Sequence, residues 1–135
     1  MCNGYIILKE ERTNIPVEEK QISHFKAGGN YTFVHFLNGT FRKQCGNLKE
    51  WEENPDVMEM GCFIRAHDSY MLNWKNVLEY DRWQATMNDK DKTKILLSAD
   101  GYDELHRRFT APGFRFSSNN LTTEENSMPD NDEEE

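Results

Sequence analysis

The sequence is poor in residues that build covalent or metal-bound scaffolds. Among 135 residues there are three cysteines, Cys2, Cys45 and Cys62, odd in number and widely spaced. They form no Cys-x-x-Cys pair, so neither a structural zinc site nor a disulfide framework is indicated, and reduced, partly buried thiols are expected. The histidines His24, His35, His67 and His106 show no metal-ligand spacing. No glycine-rich phosphate loop precedes a helix, because Gly28-Gly29 sits between strand-like segments. Ser69 near His67 reads as a strand neighbour, not as a nucleophile with its base. An enzyme is therefore not expected, and no catalytic residue, metal or cofactor is assigned. No run of eighteen apolar residues exists, so no membrane span is expected. The apolar stretch Tyr5-Ile6-Ile7-Leu8 is too short for a secretory signal and lacks a basic lead-in, which makes a cytoplasmic protein the expectation.

Basic residues are also scarce, 16 against 24 acids, for a net charge of −8. That looks wrong for a partner of phosphates, which need Lys and Arg. The deficit is local, however. Glu124, Glu125, Asp130, Asp132, Glu133, Glu134 and Glu135 put seven acids and no base after Asn119, and without them 17 acids face 16 bases. Lys26, Arg42, Lys43, Arg65 and Lys75 are candidates for a local positive face, with a mixed, solvated surface as the plainer alternative. The length allows one modest core. The division expected is a folded domain over 1–113 and an acidic, disordered tail over 114–135.

Strand signals dominate what remains. Tyr5 to Lys9 reads as a first strand, and Pro16 makes 14–17 extended. Gln21 to Ala27 reads as another strand, followed by a Gly28-Gly29-Asn30 turn that tolerates positive φ. Tyr31 to Leu37 alternates with both sets largely apolar, which predicts a central strand covered on each face. Asn38-Gly39 is the strongest hairpin signal and returns the chain into Thr40 to Cys45. Asn47, with Glu50 three residues on, predicts the N-cap of a short helix through Glu53 that turns Leu48 and Trp51 inward. Asn54-Pro55-Asp56 reads as its end. Phe63 to Tyr80 supplies two or three strands around a polar turn at His67. Asn88 to Lys92 reads as a hairpin loop before a strand over 94–97. Asp100-Gly101 opens a final helix to Phe109, with Tyr102, Leu105 and Phe109 as its apolar stripe. The fold class is mainly β (α+β), antiparallel, with short flanking helices. Pattern alone allows a barrel or a sandwich.

Between Phe63 and Asn73, an arginine, a histidine, an acid and a serine fall within five positions, flanked by good strand formers. A loop that presents hydrogen-bonding groups suits this mixture better than a core strand does, although an ordinary hairpin with a solvated turn is the simpler reading. Arg65-x-His67-x-Ser69-Tyr70, then two apolar residues and Asn73, resembles the signature of the LytTR family of bacterial DNA-binding domains. Ile22 to His35 resembles that family's strand, turn and Asn-Tyr strand, here with Asn30-Tyr31. Gly46-Asn47-Leu48-Lys49-Glu50-Trp51 resembles its first helix, and Asn76-Val77 follows the central motif as Asn-Ile often does. Ile95-Leu96-Leu97-Ser98 and Tyr102 to Phe109 resemble the closing strand and helix. The likeness covers Tyr5 to Phe109, and with a strand already starting at Tyr5 no receiver domain is expected ahead of it.

The resemblance implies an elongated arrangement of small antiparallel sheets. It also implies sequence-specific binding of double-stranded DNA by loops that enter successive major grooves, in the service of transcription regulation. On this likeness His67 and Ser69 are contacts of the central loop, Arg65 reaches the DNA backbone, and Lys26, Asn30 and Tyr31 form a second contact element, with Ser98 in a third. Asn73 is expected to serve strand geometry. Two departures stand out. Many relatives carry Asn or a base where this chain has Asp68, and commonly an Arg just after the serine that here precedes Ala99, Asp100 and Gly101. A carboxylate repels phosphate, although it can accept from cytosine N4, and each lost bidentate contact is worth about 1–3 kcal/mol. Two functions therefore stand: a regulator that binds duplex DNA, as a pair of copies on repeated half-sites, or a degenerate member that acts through protein contacts, its acidic tail mimicking DNA or attracting a basic partner. The first requires the turns at Gly28, His67 and Ser98 to lie together.

Overall fold

The computed structural model describes residues 4–110. Residues up to Leu105 form one compact unit, and a second begins at His106, of which only the end of a helix is described. The expected domain boundary at 113 and the acidic tail lie outside the described residues.

The chain opens with a hairpin of β1 (Tyr5–Glu10) and β2 (Thr13–Glu18), reversed at Glu11, whose φ is +59°. Ile6 faces Val17 and Leu8 faces Ile15 across it. The alternation places Ile6 and Leu8 in the core and leaves Tyr5 and Ile7 exposed, as a strand with one covered face requires. Next come β3 (Ile22–Gly28), β4 (Tyr31–Phe36), β5 (Phe41–Cys45), β6 (Phe63–His67) and β7 (Tyr70–Asn73). They build a five-stranded antiparallel sheet in the order β5-β4-β3-β7-β6. The middle strand is β3, and β4 is interior, as expected, between β5 and β3. In β4, Thr32 and Val34 are buried, but Tyr31 on the other face stays exposed. An apolar residue on a strand does not by itself secure cover.

Phe25 pairs with Val34 on one side and Met71 on the other, so these three share a face. That face meets Ile6 and Leu8 of the first hairpin. It also meets Leu48 of α1 (Leu48–Glu52) and Val57 of α2 (Pro55–Met60). The Phe25 ring lies 5.2 Å from Phe63 and 5.6 Å from Trp51. Each such side chain contributes about 1.5–3 kcal/mol by leaving water. The side chain of Gln44 in β5 meets the edge of β1 as a strand would: its Oε1 accepts from the Lys9 N–H (2.9 Å), and its Nε2 donates to the Lys9 carbonyl (3.1 Å).

Local signals explain most element ends. Asn38 Oδ1 accepts from the Thr40 N–H and hydroxyl in the β4–β5 turn, where Gly39 has φ +92°. Asn47 and Glu50 form the expected reciprocal capping box on α1. Asn54-Pro55-Asp56, expected only to stop a helix, also starts one. Asn54 Oδ1 accepts from the Asp56 and Val57 N–H groups, and Pro55 occupies the first turn of α2, where its missing N–H is harmless. Asn73 is a buried bracket, donating to the Glu19 and Ile22 carbonyls and accepting from the Lys75 N–H. The strands β8 (Val77–Tyr80), β9 (Gln84–Met87) and β10 (Lys94–Leu96) form a separate antiparallel sheet before α3 (Ala99–Thr110). Cys45 is free and exposed, but Cys62 is disulfide-bonded, which corrects the expectation of reduced thiols throughout.

A stacked pair of imidazoles, one buried and one half-buried, predicts acid sensitivity. His24 and His35 stack with ring centroids 4.5 Å apart, and the Ser23 hydroxyl lies 2.8 Å from His24 Nδ1. Burial, aided by His35 and opposed by Asp89, pushes the His24 ring from an ordinary 6.5 down to about 4. The unfolded chain therefore takes up this proton first. The stability contributed by the neutral ring is fully present above about pH 6.5 and is lost as pH falls toward 4, by about 3 kcal/mol. Burial pushes His35 in the same direction. Urea midpoints between pH 7.5 and 4 check this, and His24→Leu is expected to flatten the profile. An unchanged profile would refute the attribution.

Candidate nucleic-acid interface

The turn between β6 and β7 joins two other segments through backbone hydrogen bonds. The Ala27 N–H, at the end of β3, donates to the Ser69 carbonyl at 2.8 Å. The Ser98 N–H donates to the Ala66 carbonyl, also at 2.8 Å. Because β3 and β7 are antiparallel, with Lys26 opposite Tyr70, the turn over 28–31 and the turn over 67–70 occupy the same end of the sheet. The three turns are thus brought together.

Each segment has a local reason for its shape. Gly29 has φ +71°, which a side chain would resist, and a Cβ on Gly28 would sit 2.4 Å from the Phe33 ring. Asn30 is exposed, and its carbonyl accepts from the Gly46 N–H at 3.0 Å. Tyr31 is exposed as well, with the Lys43 ammonium 4.1 Å from its ring centroid, a cation–π contact. Lys26 is exposed on β3, in register with Phe33, which is itself in register with Lys43.

In the central turn, His67 Nδ1 accepts from the Ser69 N–H at 3.3 Å. An accepting Nδ1 leaves Nε2 as the nitrogen that carries the ring proton. Asp68 is exposed, while His67 and Ser69 are half-buried. Arg65 faces inward. Its Nε donates to the His67 carbonyl (2.9 Å), Nη2 to the Asp68 carbonyl (3.0 Å) and Nη1 to Glu52 of α1 (2.5 Å). In the third segment, Ser98 caps α3, its Oγ accepting from the Gly101 N–H at 3.0 Å. Gly101 fits tightly, since a Cβ there would lie 2.2 Å from the Ala66 carbonyl oxygen.

The five bases considered as one face do not form one. Arg42 pairs with Glu10 at 3.4 Å, and Arg65 is engaged as described. Lys75 follows the far end of β7, its ammonium over the Trp74 ring at 5.4 Å. Lys26 and Lys43 remain beside the turns. Two contributors escaped sequence reasoning: Glu52, whose partner is 13 residues away, and Gly101, whose close approach to β6 leaves no local signal.

A family model described as the LytTr DNA-binding domain matches residues 12–110. A solved LytTr DNA-binding domain from Bacillus cereus shares the fold with a TM-score of 0.57 at 18% identity, covering 80% of this chain and 97% of that one. No curated protein matches. The family match spans most of the sequence and all three turns of this surface, so the chain belongs to the LytTR family, a DNA-binding domain of bacterial transcription regulation.

Proposed function

We propose that this chain reads double-stranded DNA in a sequence-specific way, by inserting the turns at Gly28–Tyr31 and His67–Ser69 into major grooves, with the start of α3 beside them. The observation that carries this reading is the tie of both flanking segments to the central turn, Ala27 to Ser69 and Ser98 to Ala66. Asn30 pairs with a base edge, adenine being the bidentate match. His67 donates from Nε2, and Asp68 accepts from cytosine N4. Lys26, the Tyr31–Lys43 pair and the Ser69 and Ser98 hydroxyls serve phosphates, which position the protein without carrying sequence information. Two copies on repeated half-sites, acting in the cytoplasm, complete the proposal. An anisotropy titration against fragments of the source genome tests it. Affinity is expected to fall steeply with salt and to favour particular fragments; binding indifferent to both would remove the reading.

The acids favour a second reading, a domain that acts through protein contacts. Asp68 and Asp100 are exposed at the turns, and seven acids lie after Asn119. Truncation after Gly113 separates the two. Tighter DNA binding, by about tenfold at low salt, supports the regulator with the tail as an electrostatic brake. DNA binding that stays absent while a protein co-purifies supports the second.

A further inference from the structure

We propose that Arg65 and Glu52 are a positioning pair that holds the His67–Ser69 turn in the shape that reads DNA, and that Arg65 does not contact DNA itself. This rests on the DNA-reading function proposed above. The tip of the turn is Asp68-Ser69, and neither residue has positive φ. A two-residue hairpin normally needs positive φ to match the twist of its strands, so this tip lacks the turn geometry that would stabilise it unaided. A bulge between Arg65 and His67 further interrupts the ladder. The carbonyls of His67 and Asp68 are thus open to a donor from outside the ladder. Arg65 serves both from one rigid plane, Nε to His67 and Nη2 to Asp68. Glu52 fixes that plane by taking Nη1. Glu52 is itself held, because α1 carries the Asn47–Glu50 capping box and sets Trp51 against Phe25.

The charge of Glu52 gives the test its sign. Removing a carboxylate near a DNA-binding surface strengthens binding by electrostatics alone. Loss of a positioning group does the opposite, and only for the correct sequence. The full chain is compared with Glu52→Gln and Arg65→Lys, using one preferred duplex and one scrambled duplex over a range of salt, with amide hydrogen exchange of the free protein in parallel. Glu52→Gln is expected to lower the preference for the correct duplex about tenfold, to leave the salt slope unchanged, and to speed exchange at 67–70. Arg65→Lys keeps the charge, loses the fork and is expected to do the same. Tighter binding of both duplexes by Glu52→Gln would overturn the proposal. So would an Arg65→Gln variant whose salt slope drops by about 0.9, the signature of one lost phosphate contact. If the unaltered chain binds no duplex, the DNA-reading function falls, and the exchange measurement still decides the pair: unchanged protection at 67–70 refutes it.

Discussion

Gly101→Ala is expected to destabilise the domain by about 3 kcal/mol, a fall in Tm of about 15 °C for a body of this size. The direction is informative because propensity argues the other way. Alanine in a helix is favoured over glycine by about 1 kcal/mol, so in an open position the substitution would stabilise. Here the added Cβ would meet three backbone atoms of Ala66, the nearest at 2.2 Å. Backbone cannot step aside as the end of a side chain can, and the Ala66 carbonyl is already held by the Ser98 N–H. Instead α3 must move off β6, loosening the Ser98-to-Ala66 bond that ties its start to the central turn. Thermal melts with DNA titrations check both effects. A neutral or stabilising result would mean that α3 does not sit closely against β6.

The double substitution Asn30→Ala with His67→Ala is expected to weaken binding of the preferred duplex about a hundredfold while leaving scrambled DNA nearly unaffected. Each side chain is argued to read a base edge, worth about 1–3 kcal/mol, and about 1.4 kcal/mol is tenfold. The two lie on different turns, Asn30 after β3 and His67 before β7, so their effects are expected to add approximately. The salt slope is expected to hold, since neither carries charge to a phosphate. Lys26→Ala provides the contrast: uniform weakening across sequences and a slope lower by about 0.9. Equal losses on both duplexes from the double variant would reassign these residues to the DNA backbone.

What was legible in the sequence was local. Asn38-Gly39 and the Asn47–Glu50 box act over two or three residues, and the structure has both. The LytTR pattern in Arg65 to Asn73 placed the central turn, and Asn73 serves strand geometry as expected. What was not legible depends on partners distant in the chain. Which strand lies in the middle is decided by pairing, and β3 takes that place because β7 returns to it across the 41 residues between Gly28 and Tyr70. The positive face dissolved because Arg42 and Arg65 found acids on other elements. The start of α2 was missed for a different reason: the same Asn-Pro-Asp that ends one helix caps the next.

The central claim is that three separated segments form one DNA-reading surface. Backbone amide chemical shifts, followed while a preferred duplex is added, test it most directly. The largest changes are predicted at 27–31, 66–70 and 98–101, saturating together. Changes concentrated instead around the exposed Leu78, Trp83 and Leu96, or no saturable change at the three turns, would contradict it.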